Sequence, residues 1–230
     1  MIAKAEPVID DVRAIIKPGS SNSSSSSITQ AQMVEAIRQA LSQGVHDSIN
    51  LLGALQGFNL SQLYHIPIPD KLSKPADLLR KLGQADKVDA FELRLNQSAE
   101  QAVKQSADIF TSTIQKMSVK DALNIMQGPN NAATAYFRQH TEASLRERFL
   151  PIISKATDQT GLSSTYKSVD KLINRMYPGS HYTIDIDDYV LDHAMDALFD
   201  RIAVEEKLIR EQPVKRTTEL MKTVFGYFAK

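Results

Sequence analysis

The stretch DDYVLDHAMDALFDRIAVEEKLIREQP, residues 187–213, repeats its large apolar residues at the period of an α-helix. Apolar side chains three and four positions apart lie on one face of a helix and mark the face that packs against a core. Five residues form this stripe: Leu191, Met195, Leu198, Ile202 and Ile209. The stretch therefore predicts a long amphipathic helix from about Asp187 to Glu211, stopped by the proline at 213.

The helical period recurs along most of the chain. Thr29 and Gln32 form a capping-box pattern that starts a helix reaching about Leu55. Further helices are predicted over 78–82, 86–117, 118–128, 162–176 and 214–228. Two more helices are predicted to meet at Thr141. Because no segment shows a convincing strand alternation, the predicted fold class is all-α, a single-domain multi-helix bundle.

Two segments fall outside the helical pattern. YHIPIPDKLSKP, residues 64–75, carries three prolines, which favour extended backbone before each of them and predict an ordered strap laid over helices. PGSSNSSSSSIT, residues 18–29, is too polar to bury surface and order itself. The predicted organisation is a flexible segment over 1–27 and one helical domain over 28–230.

Composition excludes several functional classes. Lys+Arg 27 against Asp+Glu 27 gives no net charge, so no overall field attracts nucleic acid. The absence of cysteine excludes thiolate nucleophiles and Cys-ligated metals. No apolar run is long enough for a transmembrane segment, and neither a Gly-x-Ser-x-Gly elbow nor a Gly-rich phosphate loop occurs. We assign no cofactor, no metal and no nucleic-acid partner.

Two carboxylates lie at the edges of the apolar stripe of residues 187–213. Glu205 and Glu206 fall on its two sides, where partial burial requires a partner or raises the carboxyl pKa. One interpretation is a general acid/base or ion site, and the favoured one is a structural Arg–Glu pair. Arg146 and Arg148, which flank the Leu145/Phe149 stripe, are the natural partners.

An acidic ladder follows the same helix at four-residue spacing. It consists of Asp188, Asp192, Asp196 and Asp200. Like charges at this spacing repel, so a basic neighbour is predicted. The candidates are Lys215, Arg216 and Lys222 of the last helix, or a partner protein.

The stretch GPNNAATAYFRQHT, residues 128–141, combines turn and cap residues with two turns of helix. Phe137 belongs to a packing face, whereas Thr134 and Arg138 lie four apart on another face. These two could contact a ligand or the Glu205/Glu206 pair. A bidentate Arg–carboxylate contact would explain them without any function.

From about residue 37 to 228 the chain resembles a family of bacterial proteins known as domain of unknown function 4197. The matching text is IPIPDKLSK, LLRKLG, VDAFELRLNQSAEQAV, AATAYFRQHT, LRERFLPII, LDHAMDALFDRIAVEEKLIR and LMKTVFG. The resemblance implies a single helical domain and a periplasmic or envelope-associated protein, and it implies no activity. Its pattern covers Phe137 and the candidate ligand- or partner-binding residues, which are Thr134, Tyr136, Arg138, Thr141, Glu205, Glu206 and Arg210.

Two functional hypotheses follow. The first is a non-catalytic helical envelope protein that binds a partner protein or a small apolar ligand between its helices. The alternative is an unrecognised hydrolase or metal-assisted enzyme that uses Glu205 and Glu206 with Arg138. The second hypothesis requires these three side chains to lie together.

Overall fold

The computed structural model describes residues 28–159 and 185–228, with residues 167, 171, 174 and 175 between them. Within these residues the protein is an all-α multi-helix bundle without β-strands. The helices are α1 Gln30–Leu52, α2 Asp70–Lys81, α3 Ala85–Lys104, α4 Ala107–Lys116, α5 Val119–Gln127, α6 Ala132–Gln159, α7 Ile186–Glu211 and α8 Glu219–Phe228, with a 3-10 turn at Pro213–Lys215.

Helix α7 lies at the centre of the bundle, because it packs against α1, α3 and α6. Its predicted apolar stripe is confirmed, since all five stripe residues are buried. Glu205 and Glu206 are buried as well, which the amphipathic pattern alone did not require. The reason is that the stripe is covered on both sides: Glu205 faces Gly44 of α1, and Glu206 faces Thr134 of α6.

Capping boxes begin two helices, and the one at Thr29 and Gln32 confirms the predicted pattern. Thr29 and Gln32 exchange hydrogen bonds at the start of α1, and Ser118 and Asp121 do the same at the start of α5. The Ser118 hydroxyl donates to Asp121 and is the main cause that lowers the pKa of this carboxyl. Gly128 ends α5 as predicted. Local sequence therefore determines where these two helices begin.

Several predicted boundaries are wrong. The helix over 86–117 is divided into α3 and α4 near Ser106, whose hydroxyl donates to the carbonyl of Val103 and competes with continued helix. The two helices expected to meet at Thr141 are one helix, α6. Thr141 is no cap, because its hydroxyl donates to the Phe137 carbonyl at 2.6 Å. The last helix begins at Glu219 rather than near Val214.

The predicted strap is confirmed over a shorter range. Backbone outside regular structure runs from 65 to 69, and the following residues form α2 with Pro75 inside it. The amide of Asn96 on α3 donates to the Ile66 carbonyl and accepts from the Ile66 N–H, both at 2.9 Å. Tyr189 of α7 donates to the Pro67 carbonyl at 2.9 Å. The strap is therefore held by both α3 and α7.

Some predictions concern residues outside the described part of the chain. The helix expected over 162–176 lies there almost entirely. The flexible segment over 1–27 lies there as well. The division into a segment 1–27 and a helical domain 28–230 stays a prediction.

Candidate functional site

The corner between α5 and α6 meets a buried carboxylate from α7. Glu206 Oε1 accepts the Ala133 N–H at 2.9 Å, and Oε2 accepts both the N–H and the hydroxyl of Thr134 at 2.9 Å. The first N–H groups of a helix have no partner within the helix, and the helix dipole favours negative charge there. Glu206 therefore caps the N-terminus of α6 from a different helix.

Arg210, one turn further along α7, contacts the other side of the same corner. Its Nε and Nη2 donate to Glu206 Oε1 at 3.2 and 2.9 Å. Its Nη2 also donates to the Ile125 carbonyl at 2.7 Å, and Nη1 to the Met126 carbonyl at 3.4 Å. These carbonyls belong to the last turn of α5, where acceptors lack helical partners. We call Glu206 and Arg210 together the corner clamp.

The two charged side chains of the corner clamp are largely inaccessible to a ligand. The Glu206 side chain is 6% exposed and the Arg210 side chain 12%. The cavity beside them, lined by α1, α5, α6, α7 and α8, has a volume of about 20 Å³. This volume holds a water molecule, whereas small-molecule sites usually need roughly 300–1,000 Å³.

Glu205 occupies the opposite edge of the α7 stripe. Arg201 Nη2 donates to its Oε1, which makes an i,i+4 ion pair on α7. Its other oxygen, Oε2, is buried and has no hydrogen bond within the described part of the chain. A buried carboxylate oxygen without a hydrogen-bond partner costs free energy. The ion pair with Arg201 and the packing around Glu205 together offset this cost.

A family model for proteins of unknown function, DUF4197, matches residues 27–226. The chain belongs to this family. No curated protein and no solved structure matches the sequence. The family places the corner clamp inside the DUF4197 domain and attaches no activity to it.

In this DUF4197 domain, Arg138 does not join the buried carboxylates, contrary to the enzyme hypothesis. Its Nη2 donates to Asp196 at 3.0 Å, and its guanidinium lies 4.7 Å from the centroid of the Phe199 ring. Arg138 is two turns into α6, whereas Glu206 is used at the first turn. The structure therefore unites Thr134, Glu206 and Arg210 and leaves Arg138 at another site.

The acidic ladder has the predicted basic neighbour, but on a different helix. Arg146 of α6 contacts Asp192 at 2.6 Å, and Arg138 contacts Asp196. The hydrogen bond to Asp192 is the main cause that raises the pKa of Arg146. Asp200 accepts from the Tyr64 hydroxyl at 2.9 Å. Three of the four ladder residues are therefore partnered by α6 and by Tyr64, and these partners do not come from the last helix.

Of the three basic residues proposed for that role, Lys215 lies in the 3-10 turn, and Arg216 and Lys222 have other partners. Arg216 donates to the carbonyls of Ile209 and Arg210 at the end of α7, and burial lowers its pKa. Lys222 contacts Glu219. Because α8 packs on α1, it does not lie along the ladder.

Tyr136 and Thr141 line an open groove of about 970 Å³ between α4 and α6. The Tyr136 ring stacks on His140 with centroids 4.1 Å apart, and burial is the main cause that raises its pKa. Thr141 is buried, and its hydroxyl is used within α6. Tyr136 brings its hydroxyl to this groove, where the hydroxyl donates to the Asp121 carboxylate.

Sequence reasoning missed a group of exposed leucines at the end of α1 and in the residues that follow it. Leu55, Leu60 and Leu63 are 82%, 72% and 83% exposed, and Leu51 is about half exposed. We call residues 51–63 the leucine segment. A signal was present: no Asp, Glu, Lys or Arg occurs over residues 48–69, although such residues make up 23% of the chain.

The leucine segment is fixed to the bundle rather than loose. Phe58 is fully buried, and its N–H donates to the buried carboxylate of Glu100 at 3.3 Å. A Cβ on Gly57 would lie 2.5 Å from the carbonyl oxygens of Leu51 and Leu52, so the chain turns tightly against the end of α1. The leucines are thus presented outward by an anchored backbone.

Metal binding and membrane insertion also bear on the class of site. Within the described ranges, no three His, Asp or Glu side chains are grouped in a way that could hold a metal ion. Among the described helices, none combines the length and apolar character needed to span a bilayer.

Proposed function

We propose that this DUF4197 chain is a non-catalytic protein that acts by binding another protein chain through its leucine segment. The observation that carries the proposal is the exposure of Leu55, Leu60 and Leu63 on an anchored, uncharged backbone. Single exposed apolar residues are common on protein surfaces, whereas grouped ones indicate an interaction site.

The energetic reason is the apolar area that the leucine segment leaves in water. Burying a leucine side chain stabilises a structure by about 1.5–3 kcal/mol. The isolated chain obtains little of this from Leu55, Leu60 and Leu63. A partner that covers them gains this free energy, less what it costs to associate.

A small apolar ligand between the helices has less support. The core cavity of about 20 Å³ is far below the size of a ligand pocket. The groove between α4 and α6 is larger, but it is open and lined by several charged side chains, including Asp108, Lys116 and Arg148. Neither space suits an apolar molecule.

An enzyme centred on Glu205 is the second candidate, favoured by the unpartnered Oε2 of that carboxylate. Burial of Glu205, the engagement of Glu206 in the corner clamp and the separate position of Arg138 reduce its support. Its test is hydrolysis of a panel of esters and phosphoesters by the wild type and Glu205→Gln. Equal rates for the two proteins would remove this candidate.

The envelope location implied by the family resemblance belongs to the same proposal. Its test is fractionation of the native host, with the full-length gene product followed by antibody. Recovery with periplasmic or membrane-associated markers supports the location, and recovery with cytoplasmic markers contradicts it.

The binding role is tested by native mass spectrometry of the full chain purified gently from its own host. We expect a wild-type mass that exceeds one chain by at least one further protein chain. The Leu60→Asp/Leu63→Asp variant should lose this excess, and Val214→Asp should keep it. Val214 is the matched control, because it is 87% exposed and lies in the 3-10 turn. A wild-type mass of one chain alone, or an excess that the leucine variant retains, would refute the proposal.

A further inference from the structure

We infer that His65 holds residues 59–65 closed only while its ring carries a positive charge. The two ring nitrogens face two hydrogen-bond acceptors: Nδ1 lies 3.1 Å from the Asn59 carbonyl oxygen, and Nε2 lies 2.9 Å from Glu92 Oε1. We call these two contacts the His65 latch. The inference concerns the chain by itself, so it goes beyond the binding function proposed above and depends on no partner.

The two acceptors determine how many protons the ring must carry. A backbone carbonyl only accepts hydrogen bonds, and so does an ionised carboxylate. A neutral imidazole has one N–H, so it donates to one acceptor and turns a lone pair towards the other. Both contacts of the His65 latch are therefore hydrogen bonds only when each ring nitrogen carries a proton, which makes the side chain a cation.

The charged and titratable groups around the latch come from three helices. Glu92 is on α3, and Arg80 of α2 places its Nη2 at 3.8 Å from Glu92 and at 3.6 Å from Asp89. Burial, followed by the charges of Asp70 and Glu92, raises the pKa of Tyr189 on α7 to about 12. Carboxylates, guanidinium groups and such a phenol keep one charge state between about pH 5.5 and 8.5, the range in which a histidine side chain exchanges its proton. The latch therefore responds to pH in this range through its imidazole.

The backbone on both sides of the latch is held by contacts that need no imidazole proton. Residues 58–66 are held by three side chains spaced four apart on one face of α3, which are Glu92, Asn96 and Glu100. Glu100 accepts the Phe58 N–H, and Asn96 binds both backbone groups of Ile66. Asp200 of α7 also accepts from the Tyr64 hydroxyl. Loss of the proton therefore releases one contact within a stretch that stays fixed at both ends.

The contact that is lost is the one to Asn59. Hydrogen bonds to a charged acceptor are about twice as strong as neutral ones, so the single N–H of the neutral ring stays with Glu92. Nδ1 then turns a lone pair towards the Asn59 carbonyl oxygen, and the two acceptors repel each other. The His65 side chain is 32% exposed, so its proton exchanges with solvent without unfolding. Because the exposed Leu60 and Leu63 lie between the two ends of the latch, its charge determines how firmly these leucines are held.

NMR spectroscopy of the isotope-labelled full chain at about pH 5.5 and 8.5 tests this inference. We expect two ring N–H signals from His65 at the lower pH and one, on Nε2, at the higher pH. The backbone order parameter of Leu60 should fall as the pH is raised, whereas that of Phe58, whose N–H stays bound to Glu100, should not change. An equal order parameter for Leu60 at both pH values would overturn the inference.

Two variants should abolish the pH response in opposite directions. The amide introduced by Glu92→Gln can donate to Nε2, so a neutral ring with its proton on Nδ1 satisfies both contacts, and the order parameter of Leu60 should stay high at both pH values. His65→Ala removes the latch, so this order parameter should be low at both. His46→Gln is the matched control, because the His46 side chain is 73% exposed, and it should respond to pH as the wild type does. A pH response that survives Glu92→Gln or His65→Ala, or that disappears in His46→Gln, would refute the latch.

Discussion

Replacing Glu206 by alanine tests whether the corner clamp is a structural device. The substitution removes the acceptor of three hydrogen bonds from Ala133 and Thr134 and leaves the Arg210 guanidinium without its carboxylate. Loss of a helix cap typically costs about 0.5–2 kcal/mol. Breaking a buried ion pair by removing one partner costs about 3–5 kcal/mol. These terms overlap, and Arg210 keeps the Ile125 carbonyl as an acceptor, so we expect a total loss near 3–5 kcal/mol.

The assay is urea unfolding followed by circular dichroism at neutral pH. Glu211→Ala is the matched control, because Glu211 lies on the same helix and accepts one exposed hydrogen bond from Asn130. Its free energy of unfolding should stay within about 0.5 kcal/mol of the wild type. Glu206→Gln should fall between the two, since it keeps the shape and loses the charge. A loss below about 1 kcal/mol for Glu206→Ala would refute the clamp as a major stabilising contact.

Three further predictions concern the strap, the glycines and alkaline pH. Asn96→Ala should lower the free energy of unfolding by about 2–4 kcal/mol in urea titration, because both Ile66 backbone groups lose their partner; a loss under about 1 kcal/mol would contradict this. Gly57→Ala should lower the melting temperature through its clash with the carbonyls that end α1, whereas Gly226→Ala, with open space around it inside α8, should raise it by favouring helix. Equal shifts for the two would refute the close approach at residue 57. Burial is the main cause that raises the pKa of Tyr64 and of Tyr189 to about 12, so their neutral forms stabilise the fold below pH 10, and this contribution is lost as pH rises from about 10 to 12. Unfolding titrations at pH 9 and 11 should show a smaller decrease for Tyr64→Phe/Tyr189→Phe than for the wild type, and equal decreases would contradict the assignment.

The sequence identified the residues of the corner clamp without revealing their role. Thr134, Glu206 and Arg210 were all candidates, and their residue types pointed to a structural Arg–carboxylate contact as well as to a ligand site. The contact exists, but Glu206 pairs with Arg210 of its own helix rather than with Arg138. The i,i+4 spacing of Glu206 and Arg210 is a local pattern that the sequence does contain. That Arg138 lies beside Asp196 instead depends on how α6 and α7 cross, which no local pattern contains.

The sequence predicted that the acidic ladder needs a basic neighbour but not which one, and it did not predict the exposure of the leucine segment. Repulsion within the ladder correctly predicted a basic neighbour. Arg138 and Arg146 were instead assigned to the Glu205/Glu206 pair, because the order of the helices in space was unknown. The predicted first helix reached about Leu55, and the sequence assigned no structure to Leu60 and Leu63. Only the turn at Gly57 shows that Leu55, Leu60 and Leu63 point away from the core.

The sequence by itself determined the all-α class, the buried stripe of α7 and the capping boxes of α1 and α5. These features depend on periodicity and on hydrogen bonds between residues three positions apart, which are local properties of the chain. The tertiary structure decided that Glu206 caps the start of α6 and that Arg138 and Arg146 contact the acidic ladder. Those contacts depend on which helices pack together, because they join residues of α6 and α7 that are far apart in sequence.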